Sequence, residues 1–589
     1  MSTSVRKYYI KKFKIKVLIY LVSLTSIDMF AQNPLNIPPV LTGSSFNLKI
    51  QSGSQNFYSG KNTPTLGINS VWMAPTIIVY KGDSVTLNVK NTLNIKTTMH
   101  WHGLHVAAFN DDGPHQIIQP SATWSPSFKI RNNAATYWYH PHGAGQTDPQ
   151  VSKGLSGFLI VKDSQEAALN LPRTYGIDDI PLNIQSKAFD DLQQIAIATE
   201  SDTAIFINGT LHAYFNSPAQ VIRFRLLNGS SLRTYNLGLS NGQKFYQIAT
   251  DGGMLDSSIV LTRLILSPGE RAEILINFAG LSGQTIYLKS YASELPKGIY
   301  GANQIGMGKD TIAEYGTNFL NGSDFNLMEL RIVAQTTNPI TTVPTALIPF
   351  IPLNKNFVTN SRTIEFDTIR LLQNDLPNLS EGPFAMNKRS FDMDSINEVI
   401  YLNTTEIWTL VNNTLVAHPF HIHDVQFNII KKNGMEPSSS EKGWKDVVLV
   451  MPKDSVKFIT RFEDFANNKV PYMYHCHLLH HEDDGMMGSF LVIDTARLTS
   501  IKNIQKSTMK IEAFPNPSNN IWTIDGSAPN KIILVEVFNI LGKSIFSLSP
   551  SQQSNKISFN ISNEELPCGM YFLKLTSLTT SQTIHLIKI

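Results

Sequence analysis

Cysteine is nearly absent: the 589 residues contain two, Cys476 and Cys568. A disulfide-stapled scaffold is therefore excluded, stability must come from core burial, and no CxxC pair supplies a zinc knuckle. Charge is also sparse. Asp, Glu, Lys and Arg make up 16% of the chain, and the formal net charge is only +3. Residues 1–31 hold six of the positive charges (Arg6, Lys7, Lys11, Lys12, Lys14, Lys16) against Asp28, which leaves the remainder at −2. A nucleic-acid or polyanion partner is accordingly not expected. No apolar run is long enough for a membrane-spanning helix: Val17 to Phe30 is short and contains Asp28. The basic start, the apolar stretch and the Ala31-Gln32 junction read instead as a secretory signal over 1–31, with a membrane anchor as the alternative.

What the chain does have is Val, Ile, Thr, Phe and Tyr in short runs between turn residues, the pattern of an all-β protein. Residues 42–164 read as a first β domain with "SFNLKIQSG", "TIIVYKGDSVTLNVKNTL" and "GFLIVKD" as strand-like runs. Residues 165–340 read as a second, with "AQVIRFRLLNGS" and "RLILSPGERAEILINF". Its lone His212 reads as a turn or surface residue, so this domain is expected to be a spacer without metal. A Pro-rich linker over 336–360 leads to a third domain at 361–497. A polar boundary over 498–510 precedes a small β module at 511–589, where His585 and Cys568 read as incidental. Strands at this spacing predict Greek-key sandwiches or barrels.

The histidines are not scattered. Four HxH pairs occur: His100/His102, His140/His142, His421/His423 and His475/His477. Residues i and i+2 of a strand share a face, so each pair can present both rings to one site. Cys476 lies inside the last pair and must point the other way. In HCHLLHHEDDGMM, His481 and Met486 follow it. A thiolate, an imidazole and a thioether are three donors of a blue-copper site, and His418 supplies the fourth. A lone HCH would equally suit zinc or chance. Together the motifs fit one blue copper and a copper cluster with eight imidazoles, back to back and about 10 Å apart at ~3.3 Å per residue.

These motifs, in this order over 42–497, resemble those of the multicopper oxidases, in particular the three-domain bacterial laccase, cuprous oxidase and bilirubin-oxidase-like group. "LSPGERAEILINF" and "GWKDVVLV" resemble that group's second and third domains. The resemblance implies three cupredoxin-like domains and four copper ions. Type 1 copper would take His418, Cys476, His481 and axial Met486, with Met487 competing. Type 2 copper would take His100 and His421. The type 3 pair would take His102, His140 and His477 on one ion, and His142, His423 and His475 on the other.

The implied activity is one-electron oxidation of a phenolic or similar small donor near His418, with transfer through Cys476 and four-electron reduction of O₂ to water. That reduction consumes protons, and Asp111 and Glu482 match the family's acidic positions. His105 and His480 depart from the pattern and are expected outside the ligand set. The alternatives are a metallo-oxidase for Cu(I), Fe(II) or Mn(II), a copper-free scaffold relative and a copper nitrite reductase. No Met-rich insert lies between 361 and 417, where Met386 and Met393 are isolated, which weighs against a specialised Cu(I) role. The last 80 residues, with "FPNPSNN", "VFNILGK" and "GMYFLKLT", resemble a type IX secretion sorting domain. Passage through the periplasm to the exterior or the cell surface is implied. A carbohydrate-binding or self-associating module is the alternative.

Overall fold

The computed structural model describes residues 32–494 and 510–589, apart from 59, 112, 307–311, 313–314, 370–381, 528–531, 541, 549–555 and 578–580. The signal read over 1–31 lies outside the described residues. The chain divides into two compact units, 1–494 and 495–589. Among the described residues no helix is long and apolar enough to cross a membrane.

The first unit is three cupredoxin-like barrels, each made of two facing sheets. In the first, strand Ser45–Gln55 alternates exposed and buried residues, sending Phe46, Leu48 and Ile50 inward. The run "TIIVYKGDSVTLNVKNTL" divides into strands Thr76–Tyr80 and Ser84–Asn91. Strand Gly157–Lys162 is buried along nearly its whole length between parallel Thr76–Tyr80 and antiparallel Ala135–Tyr139. Covering on both faces explains its unbroken apolar sequence.

The second barrel pairs a six-stranded sheet with a larger one built on Asp179–Phe189, Val221–Asn228 and Arg271–Asn277. Strand Asn33–Pro34 joins its six-stranded sheet beside Ala213–Pro218, so the chain touches the second barrel before it builds the first. Arg223 and Arg225 are fully buried on Val221–Asn228, satisfied by Glu166, Glu273 and Asp179. Thr136 of the first barrel joins that network through Glu273 at 2.7 Å.

The third barrel begins at strand Val358–Thr368, inside the stretch read as linker; Val358 already pairs with Thr405. The rest of that stretch is irregular but bonded to the second barrel, with the Val221 N–H donating to the Ile340 carbonyl at 2.7 Å. Its second sheet runs Glu398–Tyr401, Met487–Ile493, Asn467–Cys476, His418–Ile422, Val447–Val450. The 495–589 unit is a β-sandwich of a three-stranded and a four-stranded sheet around Trp522, Val535, Val537 and Leu573. Cys568 is exposed there, and His585 packs edge-on to Phe572.

Candidate metal centre

Strand register sorts the donors. Phe420 pairs with Cys476 and His421 with His475 across adjacent antiparallel strands. Alternation then places His418, Phe420, Ile422 and Cys476 on one face and His421, His423, His475 and His477 on the other. Phe420, Ile422, Cys476 and Met486 all belong to the third barrel's buried core. In the first barrel the backbones of His100 and His140 bond reciprocally at 2.8 and 3.2 Å. Trp101 and Tyr139 point into that barrel's core, which turns the flanking imidazoles out toward the third barrel.

On the core face, Cys476 Sγ lies 3.5 Å from His418 Nδ1 and 3.9 Å from His481 Nδ1, and the two nitrogens are 3.3 Å apart. All three residues are buried. Met486 shares their apolar cluster, and its carbonyl accepts the Cys476 N–H at 3.0 Å. Met487 pairs in register with His475, which puts it on the other face. Burial pushes the Cys476 thiol well above its ordinary range and drives His418 down to about 3. A neutral, proton-poor trio aimed at one point suits a soft cation that replaces the thiol proton. The outer nitrogens are closed off: His418 Nε2 lies 2.9 Å from Thr414 Oγ1, and His481 Nε2 lies 3.3 Å from Tyr300 Oη. His418, near which the donor was expected to approach, has no exposed surface.

The opposite face gathers eight imidazoles. His102 Nδ1 lies 3.4 Å from His140 Nε2 and 3.2 Å from His477 Nε2. His142 Nε2 lies 3.1 Å from His475 Nε2, and His423 offers a donor atom to the same point. His100 and His421 face each other across the remaining gap, with His423 beside them. His100 stacks on His423 at 3.9 Å and His102 on His421 at 3.7 Å. Burial, joined by the neighbouring rings, pulls His100, His102, His421, His423 and His477 well below the ordinary imidazole range, His140 to about 3 and His142 to about 4. The Nε2 atoms of His100, His421 and His423 are buried without a hydrogen-bond partner. A buried donor left unpaired costs roughly 1–3 kcal/mol, so three converging ones describe a site shaped for cations. Neutral imidazole suits copper.

Carboxylates orient the rings from behind, as metal-binding histidines require. Asp111 bridges the barrels: Oδ1 is 2.7 Å from His100 Nδ1 and Oδ2 is 3.1 Å from His423 Nδ1. Glu482 does the same at the other end, 3.4 Å from His142 Nδ1 and 3.1 Å from His475 Nδ1, and accepts the Thr147 hydroxyl at 2.7 Å. Burial alone would raise the Glu482 carboxyl, but His142 and His475 hold it below its ordinary value.

A third carboxylate escaped the sequence reading. Asp446 Oδ1 lies 3.2 Å from His102 Nε2, and the Asp446 carbonyl is 2.9 Å from His421 Nδ1. Its carboxylate is gripped by Arg271 of the second barrel, through Nη1 at 2.5 Å and Nη2 at 2.6 Å. Asp251, Lys445 and Glu270 complete this buried ionic set. Close approach requires glycine twice: a Cβ on Gly269 (φ +84°) would lie 2.7 Å from the His477 ring, and one on Gly103 (φ +84°) 2.5 Å from Asp446. The two runs carrying these residues, "LSPGER" and "GWKD", showed family likeness in sequence but no role. His105 stays outside the cluster, between Asp424 at 2.8 Å and Asp464 at 3.1 Å. His480 pairs with Asp484 at 3.5 Å, and His212 occupies a left-handed turn position.

Comparison with known proteins agrees with this geometry. Multicopper oxidase family profiles match residues 49–166 and 365–496, and a secretion system C-terminal sorting domain profile matches 512–589. The chain is 32% identical to the multicopper oxidase mco of Staphylococcus aureus, over 78% of this chain and 93% of that protein. It is 30% identical to the cell division protein FtsP of Sodalis glossinidius, over 78% and 92%. The solved structure of the laccase-like multicopper oxidase CueO from Ochrobactrum sp., described as active towards lignin model compounds and lignosulfonate, superposes with TM-score 0.68 at 30% identity, covering 78% of this chain and all of that one. With paired imidazole motifs, barrels and relatives in agreement, the chain belongs to the multicopper oxidase family.

Proposed function

We propose that this protein is an exported laccase-like oxidase that binds four copper ions and couples one-electron oxidation of small donors to reduction of O₂ to water. The observation that carries this reading is the division of one strand: Cys476 joins His418 and His481 on one face, while its neighbours His475 and His477 join the eight-imidazole set on the other. When bound, copper supplies the one-electron couples and the O₂ chemistry. The chain's own residues do the rest. Cys476 and Met486, in an apolar shell, keep water from the type 1 site. Two peptide links join the thiolate to His475 and His477, giving electrons a short covalent route. His100 and His421 would hold type 2 copper; His102, His140 and His477, and His142, His423 and His475, the type 3 pair. Asp111 and Glu482 fix the outer nitrogens and stand where protons must be delivered, one at each end of the cluster.

Phenolic and similar organic donors fit this reading, and the relative acting on lignin model compounds supports it. A metal ion is the second reading, favoured by the sealing of both type 1 imidazoles from direct contact. A scaffold role, suggested by the cell-division relatives, sits poorly with a complete and converging donor set. The 512–589 sorting domain is read as a type IX secretion address, with passage through the periplasm and release or surface attachment. The test is copper stoichiometry and the thiolate-to-copper absorption band, followed by O₂ uptake with a phenol and with Cu(I). A protein that binds no copper on reconstitution, or takes up no O₂ with either donor, overturns the reading.

A further inference from the structure

Among the described residues the second barrel offers no candidate ligand, yet it reaches the type 1 trio. Between its strands Thr285–Ser290 and Phe325–Val333 the chain leaves the barrel, and Tyr300, Ile305 and Tyr315 enter the buried cluster that holds Cys476, Met486 and Phe384. The Tyr300 ring meets His481 edge-on at 5.7 Å, with Oη 3.3 Å from Nε2. His481 Nδ1 faces Cys476, so Nε2 is its outer nitrogen. With a cation on Nδ1, Nε2 would carry the N–H and donate a hydrogen bond to Tyr300 Oη. The other imidazole is closed by Thr414, which is itself fully buried.

Tyr300 is held in place. Its carbonyl accepts the Thr234 N–H at 2.9 Å. Tyr315 packs edge-on against it at 6.3 Å. The Tyr315 hydroxyl donates to the Ala302 carbonyl at 2.6 Å and accepts the Gly301 N–H at 2.9 Å, pinning the turn just after Tyr300. Only 5% of Tyr300 is exposed. A phenol is thus built into the position that an incoming phenol would need.

We propose that Tyr300 is a specificity-determining residue: it occupies the outer edge of His481, so donors exchange electrons across its ring, and small ionic one-electron donors are favoured over bulky phenols that require a hydrogen bond to the imidazole. This rests on the type 1 assignment above and, between its two donor readings, favours the ionic one over the phenolic one.

The test uses the copper-loaded full chain as wild type, Tyr300→Phe and Tyr300→Ala. The readouts are the type 1 absorption band, its midpoint potential, and the ratio of kcat/KM for 2,6-dimethoxyphenol to that for hexacyanoferrate(II). Tyr300→Ala is expected to raise this ratio about tenfold or more, through KM for the phenol. Tyr300→Phe keeps the ring and removes the acceptor of the His481 N–H, making the imidazole a poorer donor; the ratio should hold and the potential should rise. An unchanged or lowered ratio in Tyr300→Ala, with the type 1 band present, overturns the proposal. If Tyr300→Ala does not fold, the same ratio is read in Tyr300→Leu, and an unchanged or lowered ratio there overturns it. Absence of the type 1 band in the wild type would instead overturn the assignment beneath it.

Discussion

The first and second barrels share an architecture and differ in what they bring to the centre. The first supplies four imidazoles directly, from two HxH pairs. The second supplies none among its described residues, yet it reaches both sites. Arg271 holds the carboxylate behind His102 and His421, Gly269 lets the chain press on His477, and Tyr300 covers His481. The second barrel therefore touches both the imidazole cluster and the Cys476 trio. Histidines reveal who binds metal; they are silent about who holds the histidines.

The largest effect that would break this comparison lies on the ligand side. Cys476→Ser should abolish the type 1 absorption and lower turnover about 10³-fold or more, because the soft donor and the covalent path go together. Turnover and the visible spectrum of the copper-loaded variant decide it. If donor count were the whole account, Arg271→Leu would then be mild. We expect the opposite: it strands Asp446 in the interior, should cost about 3–5 kcal/mol by thermal unfolding, and should lower copper bound at the cluster. Arg271→Lys should restore only part of both, since one ammonium cannot match a bidentate fork.

Asp111→Asn and Glu482→Gln sharpen the contrast further. Each keeps the shape and one acceptor but replaces the other with an amide N–H that cannot accept from an imidazole, so turnover should fall about 10²-fold and copper bound at the cluster should fall with it. The smallest effect belongs to His105 of the first barrel. Burial would lower its pKa, but the Asp424 charge, with Asp464 behind it, raises it to about 9. Asp424 itself is raised to about 6 by burial. The pair is fully charged between those values and loses its cation as pH rises through 9. Stability should drop on the order of 1 kcal/mol between pH 7 and 10, and His105→Gln should flatten that slope in parallel melting curves.

The sequence was informative where chemistry repeats at a fixed spacing. HxH on a strand can only place two rings together, and an intervening Cys can only face away, so the two-sided centre followed from local geometry. The strand runs were legible for the same reason: the alternation in "SFNLKIQSG" survives as Phe46, Leu48 and Ile50 facing the core. Illegible features depend on contacts between distant segments. Nothing near Arg271 in the chain points to Asp446, and nothing near Tyr300 points to His481; these contacts exist only after three barrels pack. The third barrel's start at Val358 was hidden because its partner, Thr405, lies far downstream.

Asp111 and Glu482 each tie a histidine of the first barrel to one of the third, across more than 300 residues of chain. Each barrel alone holds part of the imidazole set, His100, His102, His140 and His142 in the first and His421, His423, His475 and His477 in the third, so the full set of eight exists only where the two are docked. The two carboxylates are thereby latches as well as orienting groups: neither can reach both of its rings in a chain whose first and third barrels have come apart.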